Sequence, residues 1–199
     1  MSQSVQLCIG VTGMNGAGKT TIAKFLKSFY SVQHFEVRDF LDAERARRHM
    51  PEGRESLSTL ANILRKEYGP DYIMRSLAAK ALEMNFQTPF IIQSIRCMGE
   101  VEYLERRFGE AFILIGTDAP IEMRYKRALK RDSQTDREDY ERFCRDEALE
   151  KVEENPWEQN LSACMTKVKE GFLVWNEDTE TTLQMQIRLI ARELRLSMY

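Results

Sequence analysis

The sequence predicts an α/β protein built on a five-stranded, mainly parallel sheet flanked by helices, and three observations carry that expectation. Short apolar runs of strand length alternate with stretches of helical apolar spacing along the chain, the pattern of repeated β-α-β units. A glycine-rich segment, "GVTGMNGAGKTT" (10–21), joins the first apolar run to the first helical one. The 199 residues, 43% hydrophobic and 30% charged, suffice for one sizeable core and are short for two, so the chain is expected to be a single domain over 1–199.

Val5 to Val11 is apolar at nearly every position, as a strand buried on both faces must be. After the glycine-rich loop, Ile22, Phe25, Leu26 and Phe29 recur at helical spacing. "HFEV" (34–37) reads as a second short strand, and a charged helix runs on to Met50, where Pro51 and Gly53 break it. Leu57, Leu60, Ala61 and Leu64 mark a further helix that ends at the turn signal "YGPD" (68–71), and Ile73, Leu77 and Ala81 mark another to about Asn85. "PFIIQSI" (89–95) is the third strand, Val101, Leu104 and Phe108 the helix after it, and "AFILIGT" (111–117) the fourth strand. Pro120 suits the first position of a helix through Leu129, because its missing N–H would have no intrahelical partner there. The stretch 131–158 is highly charged, with helical character from Tyr140 to Leu149, and reads as an insertion on the domain. "GFLVWN" (171–176) is the fifth strand, and Leu183, Ile187, Ile190, Ala191 and Leu194 give the closing helix.

Bulk properties exclude several classes. A net charge of -2 lacks the basic excess of a protein that coats nucleic acid. Cys8, Cys97, Cys144 and Cys164 show no metal-ligand or C-x-x-C spacing and read as reduced thiols. No signal peptide and no apolar run of about 20 residues is present, so the expectation is a cytoplasmic protein with no membrane partner, as a monomer or homodimer.

Gly13-Met-Asn-Gly-Ala-Gly18-Lys19-Thr20 satisfies G-x-x-x-x-G-K-[ST], with the strand before it and the helix after it that the motif requires. Each glycine costs backbone entropy. In exchange the backbone wraps a phosphate chain, with successive N–H groups turned inward at a helix N-terminus. Gly13, Asn15, Gly16, Ala17, Gly18, Lys19, Thr20 and Thr21 are therefore the candidate ATP-binding residues. Lys19 is placed toward the terminal phosphates and the Thr20 hydroxyl toward Mg²⁺. A regulatory GTPase would carry Asn-Lys-x-Asp, which is absent, and the chain is short for a large AAA-type motor.

A transferase must also exclude water from the transferring phosphoryl group and surround it with cations. "MRYKRALKRDSQTDREDYERFCRDE" (123–147) supplies six arginines, among them Arg127, Arg131 and Arg137. Arg127 and Arg131, four apart, share a helical face and are candidates to meet the ATP phosphates or base as part of a lid. For any single arginine the competing reading is a solvated pair with Glu122, Asp132, Glu138 or Asp146.

Over nearly its whole length the chain resembles the P-loop nucleoside monophosphate kinases of the adenylate kinase type. The strand–P-loop–helix start matches. "FEVRDFL" (35–41) stands where such kinases begin their acceptor-binding region, here about 38–88. "QSIR" (93–96) stands where they show Asp-Gly-x-x-Arg or Asp-Gly-x-Arg, and "VWNEDT" (174–179) matches the loop whose backbone contacts adenine, which makes Asn176 a cofactor-binding candidate. "VRDFL", "LRKEYGPDYI", "IIQSIRCMGEVEYL" and "RDEALE" are similar to a group of small kinase-like proteins near dephospho-coenzyme A kinase and adenylate kinase, some fused to deoxycytidylate deaminases. The resemblance implies that Arg38 and Arg96 hold the acceptor phosphate, with Arg137 as a further substrate-binding residue and Asp39 toward Mg²⁺-bound water or the acceptor sugar. It also implies that Lys19, Arg96, Arg127 and Arg131 form the catalytic clamp. Arg38 reads equally as a surface ion pair and Asp39 equally as an N-cap. Trp157 and Trp175 read as packing residues. One departure stands out: the third strand should end in an acid that orients Mg²⁺ through water, and here the position is Gln93 or Ser94. That leaves Mg²⁺ to Thr20, the phosphates and Asp39 or Asp118.

Three functions follow. The first is ATP-dependent phosphotransfer to a nucleoside or deoxynucleoside monophosphate, the small-molecule acceptor that many arginines and few candidate bases favour. The second is transfer to a hydroxyl, in the manner of dephospho-coenzyme A kinase. The third, favoured by the missing acid, is a nucleotide-binding sensor module with feeble catalysis.

Overall fold

A computed structural model describes residues 6–84, 88–130, 139–151 and 155–198, the last three residues of the third of these segments by backbone alone. Five strands, β1 (Cys8–Gly13), β2 (Gln33–Glu36), β3 (Phe90–Ile95), β4 (Phe112–Asp118) and β5 (Leu173–Trp175), form one sheet in the order β2-β3-β1-β4-β5, and every pairing is parallel. The helices are α1 (Lys19–Phe29), α2 (Val37–Arg47), α3 (Arg54–Tyr68), α4 (Tyr72–Glu83), α5 (Met98–Phe108), α6 (Ile121–Lys130), α7 (Tyr140–Lys151), α8 (Leu161–Thr166) and α9 (Glu180–Glu193).

Side chains of a strand alternate between the two faces of a sheet, so the central strands β1, β3 and β4 contribute to two cores. Ile9, Val11, Ile91, Ile115 and Val174 pack with Ile22 and Leu26 of α1 and with Leu183 and Ile187 of α9. Cys8, Phe90, Ile92, Phe112 and Leu114 face the other way, onto apolar residues of α2, α3, α4 and α5. Burial on both faces explains why these three strands read as continuous apolar runs.

Several boundaries differ from expectation for local reasons. β2 stops at Glu36 and α2 begins at Val37 with no loop between, one residue before the expected end of the strand. α2 ends at Arg47, because His49 takes a positive φ of 55°. α6 begins at Ile121, with the Pro120 carbonyl accepting the Arg124 N–H. β5 is shorter than 171–176, although the Phe172 carbonyl still accepts the Gly116 N–H. α8 was not anticipated: its six residues are too few to show periodicity, and it starts on the side chain of Asn160, which accepts the Ala163 N–H. In β3 the register slips, Val11 pairing with Gln93 and Thr12 with Ile95, and the skipped Ser94 sits at φ 75°. Trp175 is 43% exposed on the edge strand, so the packing reading fails for it, whereas Trp157 lies under the Lys66 ammonium at 5.9 Å.

Candidate phosphotransfer site

The loop between β1 and α1 has its shape because three glycines stand where no Cβ fits. Gly13, Gly16 and Gly18 take φ of 139°, 78° and 113°. A Cβ on Gly13 would lie 2.1 Å from the Thr117 carbonyl oxygen, one on Gly16 2.4 Å from the Arg124 carbonyl oxygen, and one on Gly18 2.3 Å from Asn176 Nδ2. The loop is thus clamped between the ends of β4, α6 and β5. α1 starts at Lys19 with Gly18 as its N-cap and no side-chain cap, so its first amides present their N–H groups and the positive end of the helix dipole to an anion. Lys19 is buried, and its ammonium donates to the carbonyls of Gly13 at 2.7 Å and Met14 at 2.9 Å, which lays it along the loop.

A cavity of about 540 Å³ opens beside the loop. Its walls include Asn15, Gly18, Lys19 and Thr20 on the loop side and Val37, Arg38, Leu41, Arg54, Leu57, Ser58, Ala61 and Arg65 from α2 and α3. Lys24, Glu36, Gln93, Ser94, Arg96 and Gln159 complete it. Six cations against one carboxylate make the space electropositive, and the apolar residues give it a surface for a planar or aliphatic group.

Arg96 extends from the end of β3, where α/β sheets hold ligands. Its Nη1 donates to Gln159 Oε1 at 2.8 Å, and Gln159 Nε2 donates to Ser58 Oγ at 2.8 Å. The backbone at Arg96 is fixed as well: its N–H and that of Cys97 donate to Glu100 Oε2, and its carbonyl accepts the Asn160 N–H. Glu100 uses its other oxygen for Arg65 Nε at 3.0 Å and Nη2 at 2.9 Å, a pair in which both side chains are buried. Arg65 therefore enters the cavity wall with its charge already matched.

At the junction of loop and cavity, Gln93 Nε2 donates to Thr20 Oγ1 at 2.8 Å and to Glu36 Oε1 at 2.9 Å. Its Oε1 accepts from His34 Nε2 at 2.9 Å. Burial lowers the His34 pKa against opposing pulls from Gln93 and Glu36, which favours a neutral ring carrying its proton on Nε2. Asp39, by contrast, is exposed in the first turn of α2, and Asp118 accepts from the Ala119 N–H and pairs with Arg124 at 3.4 Å. Neither lines the cavity. The carboxylate that shares Gln93 with Thr20 at the cavity wall is Glu36.

Of the expected lid arginines, Arg131 and Arg137 lie outside the described residues, as do 152–154. Arg127 Nη2 donates to the Asn176 carbonyl at 2.8 Å and to Asn176 Oδ1 at 3.2 Å, while Asn176 Nδ2 donates to the Ala17 carbonyl at 2.8 Å. Asn176 thus ties Arg127 to the phosphate loop. Arg127 Nη1 is buried without a hydrogen-bond partner among the described residues, and burial lowers the guanidinium pKa. Arg124 behaves differently. It is buried and forked onto the Glu147 carboxylate of α7, so it is a structural pair that joins α6 to α7.

These observations fit a bound Mg²⁺-nucleotide: a cradle that any Cβ would fill, a lysine laid along it, a threonine hydroxyl at its edge and a buried guanidinium nitrogen lacking a partner. Among the described residues no three His, Cys, Asp or Glu side chains gather into a metal site. Sequence reading missed Glu36, Arg54 and Gln159. Glu36 had no usable signal, because its place beside Gln93 comes from a strand pairing that the sequence does not show. Gln159 had none, since its partners Ser58 and Arg96 lie 101 and 63 residues away.

The model of the family described as "AAA domain" matches residues 12–143. A UPF0200 protein of Methanothermobacter thermautotrophicus is 26% identical over 186 residues, which is 94% of this chain and 90% of that protein. TT1252 from Thermus thermophilus superposes with a TM-score of 0.62 at 18% identity, covering 96% of this chain and 99% of the other. Shikimate kinase from Bacteroides thetaiotaomicron does so with a TM-score of 0.57 at 14% identity, covering 96% and 99%. The fold is that of the small P-loop kinases. Among the described residues no helix is long and apolar enough to cross a membrane.

Proposed function

The chain belongs to the AAA domain family, and on that premise we propose that it is an ATP-dependent phosphotransferase whose acceptor is a nucleoside or deoxynucleoside monophosphate. The observation that carries the reading is the electropositive cavity beside the phosphate loop, with Arg38, Arg54 and Arg96 on its walls and Val37, Leu41, Leu57 and Ala61 between them. ATP lies on Gly13–Thr21, with the Thr20 hydroxyl toward Mg²⁺. The acceptor phosphate lies against Arg96 and Arg38, and its nucleoside lies along α2 and α3. An acceptor phosphate oxygen attacks the γ-phosphorus as the bond to the β-phosphate bridge breaks. That oxygen is already largely ionised near neutral pH and needs no base. What the reaction requires is cations that bring two anions together, and Lys19, Arg96 and Arg127, with Arg131 and Arg137, are the candidates for that clamp.

A second reading, transfer to a hydroxyl, draws support from Glu36, a carboxylate at the cavity wall able to take a proton, and from the name of the shikimate kinase that shares the fold. A coupled assay of ADP release over a panel of nucleoside monophosphates, dephospho-coenzyme A and shikimate separates the two. Turnover with one or more monophosphates, lost in Arg96→Ala, is the expected result. Turnover with a hydroxyl acceptor alone refutes the monophosphate assignment, and ADP release with none of them favours the sensor module.

A further inference from the structure

The resemblance of the sequence implies an acid at the end of the third strand, and β3 offers an amide there. Gln93 is 1% exposed, and its amide can face only one way. A carboxylate accepts and never donates, so the NH₂ group must be the end turned to Glu36. The same NH₂ reaches Thr20 Oγ1 with its other proton, and the amide oxygen is occupied by His34. Both N–H groups of the Gln93 side chain therefore hold a hydroxyl and a carboxylate near each other, while its oxygen is held by His34.

The strand register shows how the carboxylate arrives there. Glu36 of β2 is the parallel partner of Gln93 of β3, so the negative charge has moved sideways by one strand while staying at the same level of the sheet. Glu36 is also the N-cap residue of α2, a place where the short side chains Ser, Thr, Asp and Asn accept from the first turn of the helix. Here it makes no such cap. Its carboxylate is turned to Gln93, and Glu36, Gln93 and Thr20 line one cavity. The Thr20 oxygen, accepting one bond from Gln93, keeps a second lone pair for a cation.

We propose that Glu36 is the carboxylate of the Mg²⁺ site, acting through metal-bound water, and that Gln93 is a positioning residue that sets Glu36 and the Thr20 hydroxyl at one spacing. This rests on the reading of Gly13–Thr21 as the nucleotide site. The pair Glu36–Gln93 then does with two residues on neighbouring strands what a single acid on the third strand does alone. It also keeps the missing acid from being an argument for feeble catalysis.

The test is calorimetric titration of ATP into the protein at a series of Mg²⁺ concentrations and in EDTA, using wild type, Glu36→Gln and the exchange Glu36→Gln/Gln93→Glu. Loss of a carboxylate that orients a metal ligand commonly weakens metal affinity by about tenfold or more. Glu36→Gln should therefore raise the Mg²⁺ concentration for half-maximal tightening of ATP binding by about tenfold and leave the affinity in EDTA unchanged. The exchange should return that concentration to within about threefold of wild type, because the charge comes back on the other strand. Thermal melts of both variants verify that the fold is kept. A Glu36→Gln protein with wild-type Mg²⁺ dependence overturns the proposal, and so does an exchange variant that is folded but no better than the single one. A fall in turnover with unchanged Mg²⁺ dependence identifies Glu36 as a base instead. Failure of wild type to bind ATP with or without Mg²⁺ removes the nucleotide reading itself and this inference with it.

Discussion

The two sides of the site are built in different ways. The donor side is a backbone device. Gly13, Gly16 and Gly18 press against the Thr117 and Arg124 carbonyls and the Asn176 amide, and little can be altered there without moving β4, α6 or β5. The acceptor side is a side-chain device. Arg96 is aimed by Gln159, Gln159 by Ser58, and Arg65 by Glu100, each partner coming from a different segment. A backbone device fixes one geometry for one constant group, a phosphate chain. A side-chain device can be retuned residue by residue, which suits the part of the site that chooses the acceptor. Substitutions on the donor side should therefore damage everything together, and those on the acceptor side should separate one property from another.

The largest effect is expected at Lys19. Removing one electrostatic donor to a transferring phosphoryl group raises the barrier by roughly 3 kcal/mol, about a hundredfold in rate. Lys19→Met should lose that much turnover with every acceptor while its melting temperature stays close to wild type. A Lys19→Met protein that turned over normally would remove the donor side from the comparison.

Next comes Gly13→Ala. The added methyl meets a carbonyl oxygen of the sheet, an atom that cannot swing away, at a φ that side chains rarely adopt. Strain and overpacking of this kind amount to roughly 2–4 kcal/mol. Thermal unfolding should show that loss, and ATP affinity should fall with it. Full stability would mean that the loop is held less rigidly than its contacts indicate.

On the acceptor side, Arg96→Ala should weaken acceptor binding by roughly 1.5–3 kcal/mol, the range for hydrogen bonds to a charged group, and leave ATP affinity alone. Gln159→Ala should do the same more weakly, raising acceptor KM more than it lowers kcat, because it only aims Arg96. Equal losses in ATP and acceptor binding would show that the two sides are not separable.

The smallest effect concerns the outer end of α2. Hydrogen bonds from Arg47 and Arg48 hold the Glu44 pKa below the ordinary carboxylate value, so the stability this group provides is present above about pH 4.3 and disappears as pH falls through its lower, folded-state pKa. Wild type should exceed Glu44→Gln in melting temperature near neutrality, and the gap should close in acid. A gap that widened on acidification would reverse the assigned sign.

The same contrast explains what could be read from the sequence. The phosphate loop was legible because positive φ and close backbone contact demand glycine, and glycines at fixed spacing before Lys-Thr are visible in one line of text. The central strands β1, β3 and β4 were legible because both faces of each are buried. Glu36 was passed over for Asp39 because β2 ends one residue earlier than its apolar pattern suggests, and that residue decides which carboxylate meets the cavity. Arg54 and Gln159 come together with Arg96 only after α3 and the segment before α8 have folded onto the end of β3. No local pattern marks such a meeting. Arg124 and Arg127, three apart in one charged run, went opposite ways, one to Glu147 and the other to Asn176, and only the packing of α7 separates them.

The central claim is that donor and acceptor phosphates meet across Thr20 and Gln93, and a dinucleoside pentaphosphate long enough to occupy both sides tests it most directly. Its affinity should be measured by calorimetry beside that of ATP. If the two sides face one another, joining the ligands should tighten binding about a hundredfold over ATP. Arg96→Ala should return most of that gain, and Lys19→Met should weaken both ligands. Binding no tighter than ATP, with Arg96→Ala indistinguishable from wild type, would contradict the account.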